Sequence, residues 1–487
     1  MLLALRIQGT ISLAEPLQLI ASGDEHSSLY AMWKYVRGEP VYTDRFQLPF
    51  SAALYNWLFY AAYGTAARLG SGLFGLADQW LPTTGRILSL GLLSLAAIAA
   101  GSCFSRALRA EGWPLRIVAW SFAIFIAFGP LVGFWAVTVR ADIGAFAFEI
   151  IAVCAFLRLW PRHRWHAVLV FAACAYASWA FKQIDIVAPA AVGSFLLLRR
   201  QWQLAAALAG SLGLLGAATL ALGSPLYLSI MLFADYAFIY SPSHAISVAA
   251  NFALKSAPGL SLLAAAAAAA ATTRFGRAAV WNDDSALLGL LGVVLWALIV
   301  VPTSMQTGSA ENYYFPISFY ATMAACALLR LAIDHSSHAR LVMSAAAFGW
   351  LIAIGAIGLV LGGVIGTTDL RQQHGTIARL KECLDPLPRP LFVANPILAL
   401  PWIIPTPTPF VLSYTYERER LLGRPFEAGG VGGLMDGGFF AAVAMPDPGG
   451  EPIVHDGSRL ERYQRVANCR HFAVFLRAQS GNELSPR

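Results

Sequence analysis

Hydrophobic positions along the chain come in runs long enough to cross a bilayer, separated by short polar loops. A span needs roughly 20 apolar residues. Runs of that kind fall at 86–106, 114–138, 142–160, 165–181, 184–198, 203–222, 257–273, 285–302, 314–333 and 341–366. Ahead of them, residues 24–37 carry a helical apolar rhythm (Leu29, Met32, Trp33, Val36) that Gly38-Glu39-Pro40 breaks. Residues 50–64 are aromatic and apolar. Both stretches predict helices lying at the membrane interface, where Trp and Tyr prefer to sit. The rival reading makes 50–76 an ordinary span, but it would put 77–85, which has no basic residue, among the basic loops. The opening run Met1–Ile7 is too short for a span and lacks the charged head and cleavage site of a signal peptide. The reading favoured is a first helix cut short, the alternative a marginal span.

Beyond residue 366 the pattern changes. Pro, Gly and charges become frequent, and short β-like runs appear at 391–394, 409–414, 439–444 and 472–476, after a helical stretch near 371–384. The expected fold class is therefore a polytopic α-helical membrane protein with ten or eleven transmembrane helices, outer-surface interfacial helices and a small C-terminal α/β domain. The domain division is 1–366 for the membrane part, with 24–85 as its first outer loop, and 367–487 for the appended domain.

Charge gives the runs a direction. Of 487 residues, 57% are hydrophobic and only 13% charged, against about 25% charged in soluble domains. Basic residues gather at every second loop: Arg106, Arg109 and Arg116; Arg158, Arg162 and Arg164; Arg199 and Arg200; Arg274 and Arg277; Arg330 and Arg340. The loops between hold only Arg86, Arg140, Lys182 and Lys255, with none near 303–313. Short loops rich in Lys and Arg stay in the cytoplasm, so the sparse loops, the acidic pair Asp24-Glu25 and the C-terminal domain are expected outside. The net charge of +7 reads as a topology signal with some attraction to anionic lipid. No basic stripe interleaved with aromatics suggests a nucleic-acid partner. Cys103, Cys154, Cys174 and Cys326 lie in apolar runs, where a lone cysteine behaves as a small hydrophobe. Cys383 and Cys469 lie in the tail, and an oxidising compartment would permit a disulfide between them. No spacing suggests zinc.

The candidate chemistry clusters on the sparse face. Adjacent carboxylates at a membrane surface, Asp24 and Glu25, suit general-base work or a divalent metal, though two carboxylates alone do not make a metal site and a solvated acidic pair is the plainer reading. Glu39 and Asp44 add acid nearby. Arg140 and Lys182 are the main cations of an otherwise cation-poor side, which suits a phosphate. Taken singly, Arg140 with Asp142 reads as an interface anchor and Lys182 as a snorkelling side chain. Glu311-Asn312-Tyr313-Tyr314 opens another span at the same level and suits orienting a sugar, or forms part of a tyrosine belt.

The stretch Asp24-Glu25, Tyr30, Gly38-Glu39-Pro40-Val41-Tyr42-Thr43-Asp44, Pro49 and Tyr55-Asn56 resembles the first outer loop of the C-type glycosyltransferase superfamily. It is most similar to the protein O-mannosyltransferase-like and aminoarabinose-transferase-like branch. Thr138-Val139-Arg140-Ala141-Asp142 resembles that branch's Arg-Pro-Asp motif with Ala in place of Pro, and Phe181-Lys182-Gln183 and Glu311-Asn312-Tyr313 resemble its outer-turn elements. The likeness covers about 24–330, and His26 stands where a small residue is expected. It implies a multi-pass protein of a bacterial inner (plasma) membrane. Such a protein moves a sugar from a polyprenyl-phosphate carrier to a lipid, glycan or protein acceptor on the extracytoplasmic side, with net inversion. It implies Asp24 as base with Glu25 assisting, Arg140 and Lys182 on the donor phosphate, and Asp142, Tyr42, Glu311, Asn312 and Tyr313 about the substrate. A flippase of lipid-linked sugars would instead show internal repeats and broken midplane helices, and no repeat is visible. A non-catalytic assembly subunit is the remaining rival.

Overall fold

The computed structural model describes residue 4 and residues 25–110, 112–232, 240–272, 276–306, 309–335, 378–446, 460–470 and 472–478. The expected span 341–366, most of 1–7, the candidate base Asp24, and Asp235 and Tyr236 lie outside the described residues. The chain is a polytopic α-helical membrane protein carrying a small C-terminal sheet. Helices α1 (Glu25–Arg37) and α2 (Trp57–Phe74) precede the bundle. The bundle begins with α3 (Leu81–Ala107), α4 (Trp113–Phe128), α5 (Ala141–Leu159), α6 (Arg164–Phe181), α7 (Val187–Leu198) and α8 (Trp202–Leu222). It continues with α9 (Pro225–Leu232), α10 (Pro242–Thr272), α11 (Gly276–Asn282), α12 (Asp284–Thr303) and α13 (Phe315–His335).

Among the described residues, Asp78–Ala107, Trp202–Leu222, Asp284–Thr303 and Glu311–Asp334 are long and apolar enough to cross a membrane. Burial separates centre from rim. The last of these stretches is 89% buried within the protein, whereas Trp202–Leu222 is 11% buried and turns Trp202, Leu214, Leu220 and Leu222 outward. Such an apolar face is expected to meet lipid.

Several elements differ from the hydropathy reading. The run 114–138 is not one helix. α4 ends at Phe128, where Gly129-Pro130 interrupts the backbone hydrogen bonding, and a 3-10 turn at Gly133–Val137 follows. α7 has 12 residues, about 18 Å of helix, short of the ~30 Å hydrocarbon core. Between the expected runs 203–222 and 257–273 the described residues are largely helical: α9 fills the start, and α10 begins at Pro242. Lys255 therefore lies on α10, where Glu311 neutralises it. α2 starts later than the aromatic run because Asn56 caps it, and ends at Gly75 in the left-handed conformation, φ 63°.

The tail forms a four-stranded sheet, β1 (Leu391–Val393), β2 (Ala442–Pro446), β3 (Tyr463–Cys469) and β4 (Phe472–Arg477), in the order β1-β2-β4-β3. β1 pairs parallel to β2, and the other pairings are antiparallel. The expected strand at 409–414 is absent, and α14 (Tyr414–Leu421) begins there. Residues 378–384 are helical, matching the described part of the expected helix. Cys383 and Cys469 are joined in a disulfide, with Cα atoms 6.0 Å apart.

This tail packs against α1, α2 and the segment between them. Leu391, Val393, Leu400 and Phe472 share one core with Leu29, Met32, Phe59 and Tyr63 of α1 and α2. Phe50 packs among Phe410, Tyr416 and Phe426. The Arg45 guanidinium donates twice to Glu419, at 3.1 and 2.9 Å, and the His26 ring is 3.0 Å from the Leu412 carbonyl.

Candidate active site

The site is built where α5 and α6 meet near α1 and α2. Two glycines let the pieces approach: a Cβ at Gly144 would fall 2.2 Å from the Phe181 ring, and one at Gly85 would fall 2.6 Å from Val139. Between the 3-10 turn and α5 the chain runs extended through Thr138 to Arg140. Non-helical backbone in a low-dielectric setting must find other partners. The Thr138 carbonyl accepts from Ser89 at 2.9 Å, and Ser89 is also 2.7 Å from the Tyr63 hydroxyl. The Val139 amide donates to Glu25 Oε1 at 2.9 Å.

Glu25 is thereby fixed. Its Oε1 is also 3.4 Å from Arg86, and both side chains are essentially excluded from solvent. Burial pushes the Glu25 carboxyl above its usual range, opposed chiefly by the Arg86 charge and the Val139 amide. Oε2 is buried with no hydrogen-bond partner among the described residues. Glu25 thus anchors the N-terminus of α1 to α3 and to the strand leading into Arg140.

One residue beyond Val139 begins a cluster organised by Asp142. Lys182, capping α6, donates to its Oδ1, Asn312 donates to the same oxygen at 2.6 Å, and Arg140 Nε donates to Oδ2 at 3.2 Å. The Arg140 guanidinium lies 4.5 Å from the Trp135 ring and 5.5 Å from Tyr55. The Lys182 ammonium is 4.3 Å from the Tyr313 ring. Asp142 is 3% exposed, Lys182 6% and Arg140 8%. Two cations surround this one carboxylate, ordered in place and screened little by solvent. Asp185, in the turn between α6 and α7, is the further acid nearby. Burial pushes its carboxyl up to about 7, Lys182 pulls it down, and Asp142 pushes it up. Asn312 Oδ1 and Gln183 Oε1 are buried acceptors with no hydrogen-bond partner among the described residues.

Of the residues singled out from sequence, Arg140, Asp142, Lys182, Asn312 and Tyr313 come together. Tyr42 stands one step away: its hydroxyl donates to the Tyr55 carbonyl at 2.9 Å. Glu311 turns aside to pair with Lys255. Among the described residues no group of three His, Cys, Asp or Glu side chains is arranged to hold a metal.

No protein-family model matches the chain, and no curated protein matches it. Among solved structures the chain is similar to the aminoarabinose transferase ArnT from Cupriavidus metallidurans. Against the apo form the TM-score is 0.61 at 12% identity, covering 97% of this chain and 96% of that one. Against the form bound to undecaprenyl phosphate it is 0.54 at 13% identity, covering 99% and 98%. The fold is that of the C-type glycosyltransferases. The likeness runs through the tail as well as the bundle.

On this fold, sequence reading missed Trp135, Asp185 and the role of Arg86. Arg86 looked like a stray loop cation, yet it is fully buried and holds Glu25. Its signal was available: a lone arginine at the mouth of a span, with an unmatched acid in the preceding loop. Asn56 was noted only as part of a motif. It ties three elements, donating to the Trp179 carbonyl at 3.0 Å and accepting from Tyr227 while capping α2.

Proposed function

We propose that this protein transfers a sugar from a polyprenyl-phosphate carrier to a hydroxyl-bearing acceptor, on the extracytoplasmic side of a bacterial inner membrane. The observation that carries the reading is the buried Arg140–Asp142–Lys182 cluster with Asn312 and Tyr313 beside it. A sugar phosphodiester brings one negative charge and gains more as the sugar departs. A preorganised cation pair stabilises the charge that develops on the leaving phosphate. Asn312 Oδ1 and Gln183 Oε1 are acceptors suited to sugar hydroxyls. The fold's likeness to a transferase solved with undecaprenyl phosphate supports a polyprenyl carrier.

In this reading Asp24 takes the proton from the acceptor hydroxyl. The acceptor oxygen attacks the anomeric carbon, the bond from that carbon to the phosphate oxygen breaks, and the electron pair leaves with the polyprenyl phosphate. Glu25, locked to Arg86 and Val139, positions the chain on either side of the reacting centre rather than moving a proton. Membrane domain and tail act as one unit, with the tail bracing the first outer loop. Asp24→Asn keeps the side chain's size and removes the base, so turnover should fall by roughly 10²-fold or more with donor binding retained. Lys182→Ala removes a contact made before reaction and should raise the donor Kd about 10- to 100-fold. Near-normal turnover in Asp24→Asn would overturn this assignment of the base.

A further inference from the structure

A second charged feature lies at the far end of the bundle. Asp142 and Arg158 stand at opposite ends of α5, sixteen residues and about 24 Å of helix apart. On α3, Arg86 and Arg106 are separated by about 30 Å in the same sense, close to the thickness of a hydrocarbon core. The far end therefore falls at the level of the other leaflet's headgroups. There the structure holds a recess of about 700 Å³ lined by Arg106, Arg158, Arg162, His163, Ser102 and Ser285.

Among the described residues, no ion pair cancels the arginine charge in this recess. The acids at the start of α12 are already engaged: Asp284 pairs with Arg199 at 2.6 Å, and Asp283 pairs with Arg330 and caps α12. No acidic side chain among the described residues pairs with Arg106, Arg158 or Arg162. Arg106 makes one long contact, 3.5 Å, with the Cys154 carbonyl. Three guanidinium groups, an imidazole and two hydroxyls converge on one concavity. Leu157, Leu159 and Pro161 supply its apolar wall. Guanidinium forks match phosphate oxygens two at a time. Basic recesses between helices at a leaflet surface suit anionic headgroups.

We propose that this recess binds the phosphate of an anionic phospholipid headgroup, in the leaflet opposite the Asp142 cluster. The apolar wall receives the glycerol and upper acyl region, which a soluble anion lacks. The proposal rests on the membrane fold and not on the transferase reading, so either can fail alone.

The test uses the purified full-length protein and counts retained lipid by native mass spectrometry after incubation with phosphatidylglycerol or phosphatidylcholine. The parent protein should retain one phosphatidylglycerol that phosphatidylcholine does not replace. The double variant Arg158→Gln/Arg162→Gln should lose it, with retention weakened about 10-fold or more. Arg109→Gln/Arg116→Gln removes the same charge from the same end, outside the recess, and should keep the lipid. All these side chains lie at helix ends, and an unchanged size-exclusion profile with native helix content checks the fold. Equal retention of the two lipids by the parent, or equal loss in both double variants, would overturn the site. Displacement of the lipid by millimolar inorganic phosphate would overturn its assignment to a phospholipid in favour of a free anion.

Discussion

Glu25→Gln separates an anchoring role for this residue from a catalytic one. The Glu25 carboxylate and the Arg86 guanidinium are 3.4 Å apart and 1% and 0% exposed. At an effective dielectric near 20, two unit charges at that separation attract by about 5 kcal/mol. Glutamine keeps an acceptor for the Val139 amide and the same bulk, so the substitution removes little but the charge. Arg86, fully buried, then loses the Glu25 counter-charge, and breaking such a buried pair typically costs about 3–5 kcal/mol. The folded-to-unfolded ratio should fall by at least about a hundredfold. Equilibrium unfolding in mixed detergent micelles reads this directly. The double variant Glu25→Leu/Arg86→Met removes both charges and should regain most of the loss, since apolar replacement of a buried pair is often near neutral. A Glu25→Gln protein within about 1 kcal/mol of the parent, or a double variant no better than the worse single, would refute the anchoring argument.

The remaining expectations concern charge, redox state and topology. Because the Asp185 carboxyl is pushed up to about 7, it is neutral below that pH; above it, ionised Asp185 adds a negative charge beside the Arg140–Lys182 cations. Affinity for a phosphodiester donor should therefore fall about 3- to 10-fold as pH rises through 7, and an Asp185→Asn protein that shows the same fall would exclude Asp185 as the cause. The Cys383–Cys469 disulfide closes a loop of sequence separation 86, so Cys469→Ser should destabilise the sheet region by roughly 2–5 kcal/mol; unchanged resistance of the tail to limited proteolysis would contradict this. Reporter fusions at Arg200 and at the C-terminus should land on opposite sides of the membrane, and a shared side would overturn the proposed orientation.

The sequence alone determined what depends on local pattern. Runs of apolar residues set most bundle helices within a few positions, as at α5, α6, α8 and α12. A carboxylate and two cations at the ends of neighbouring spans were legible as a cluster because short turns leave few ways to place helix ends apart. The four-residue spacing of Leu29, Trp33 and its neighbours marked α1. The failures share a physical cause. β3, with only its end residues Tyr463 and Cys469 buried and the rest exposed, is an edge strand whose polar sequence carries no alternation; its partner β4 decides it. Arg86 and Glu25 lie 61 residues apart, and no local pattern announces that a buried charge has found its counter-ion. Composition changes sharply after residue 366 and marked the tail as an appended domain, but no local pattern announced that its described residues share a core with α1 and α2. Long-range burial, which removes apolar surface from water regardless of sequence distance, made that choice, and only the tertiary structure records it.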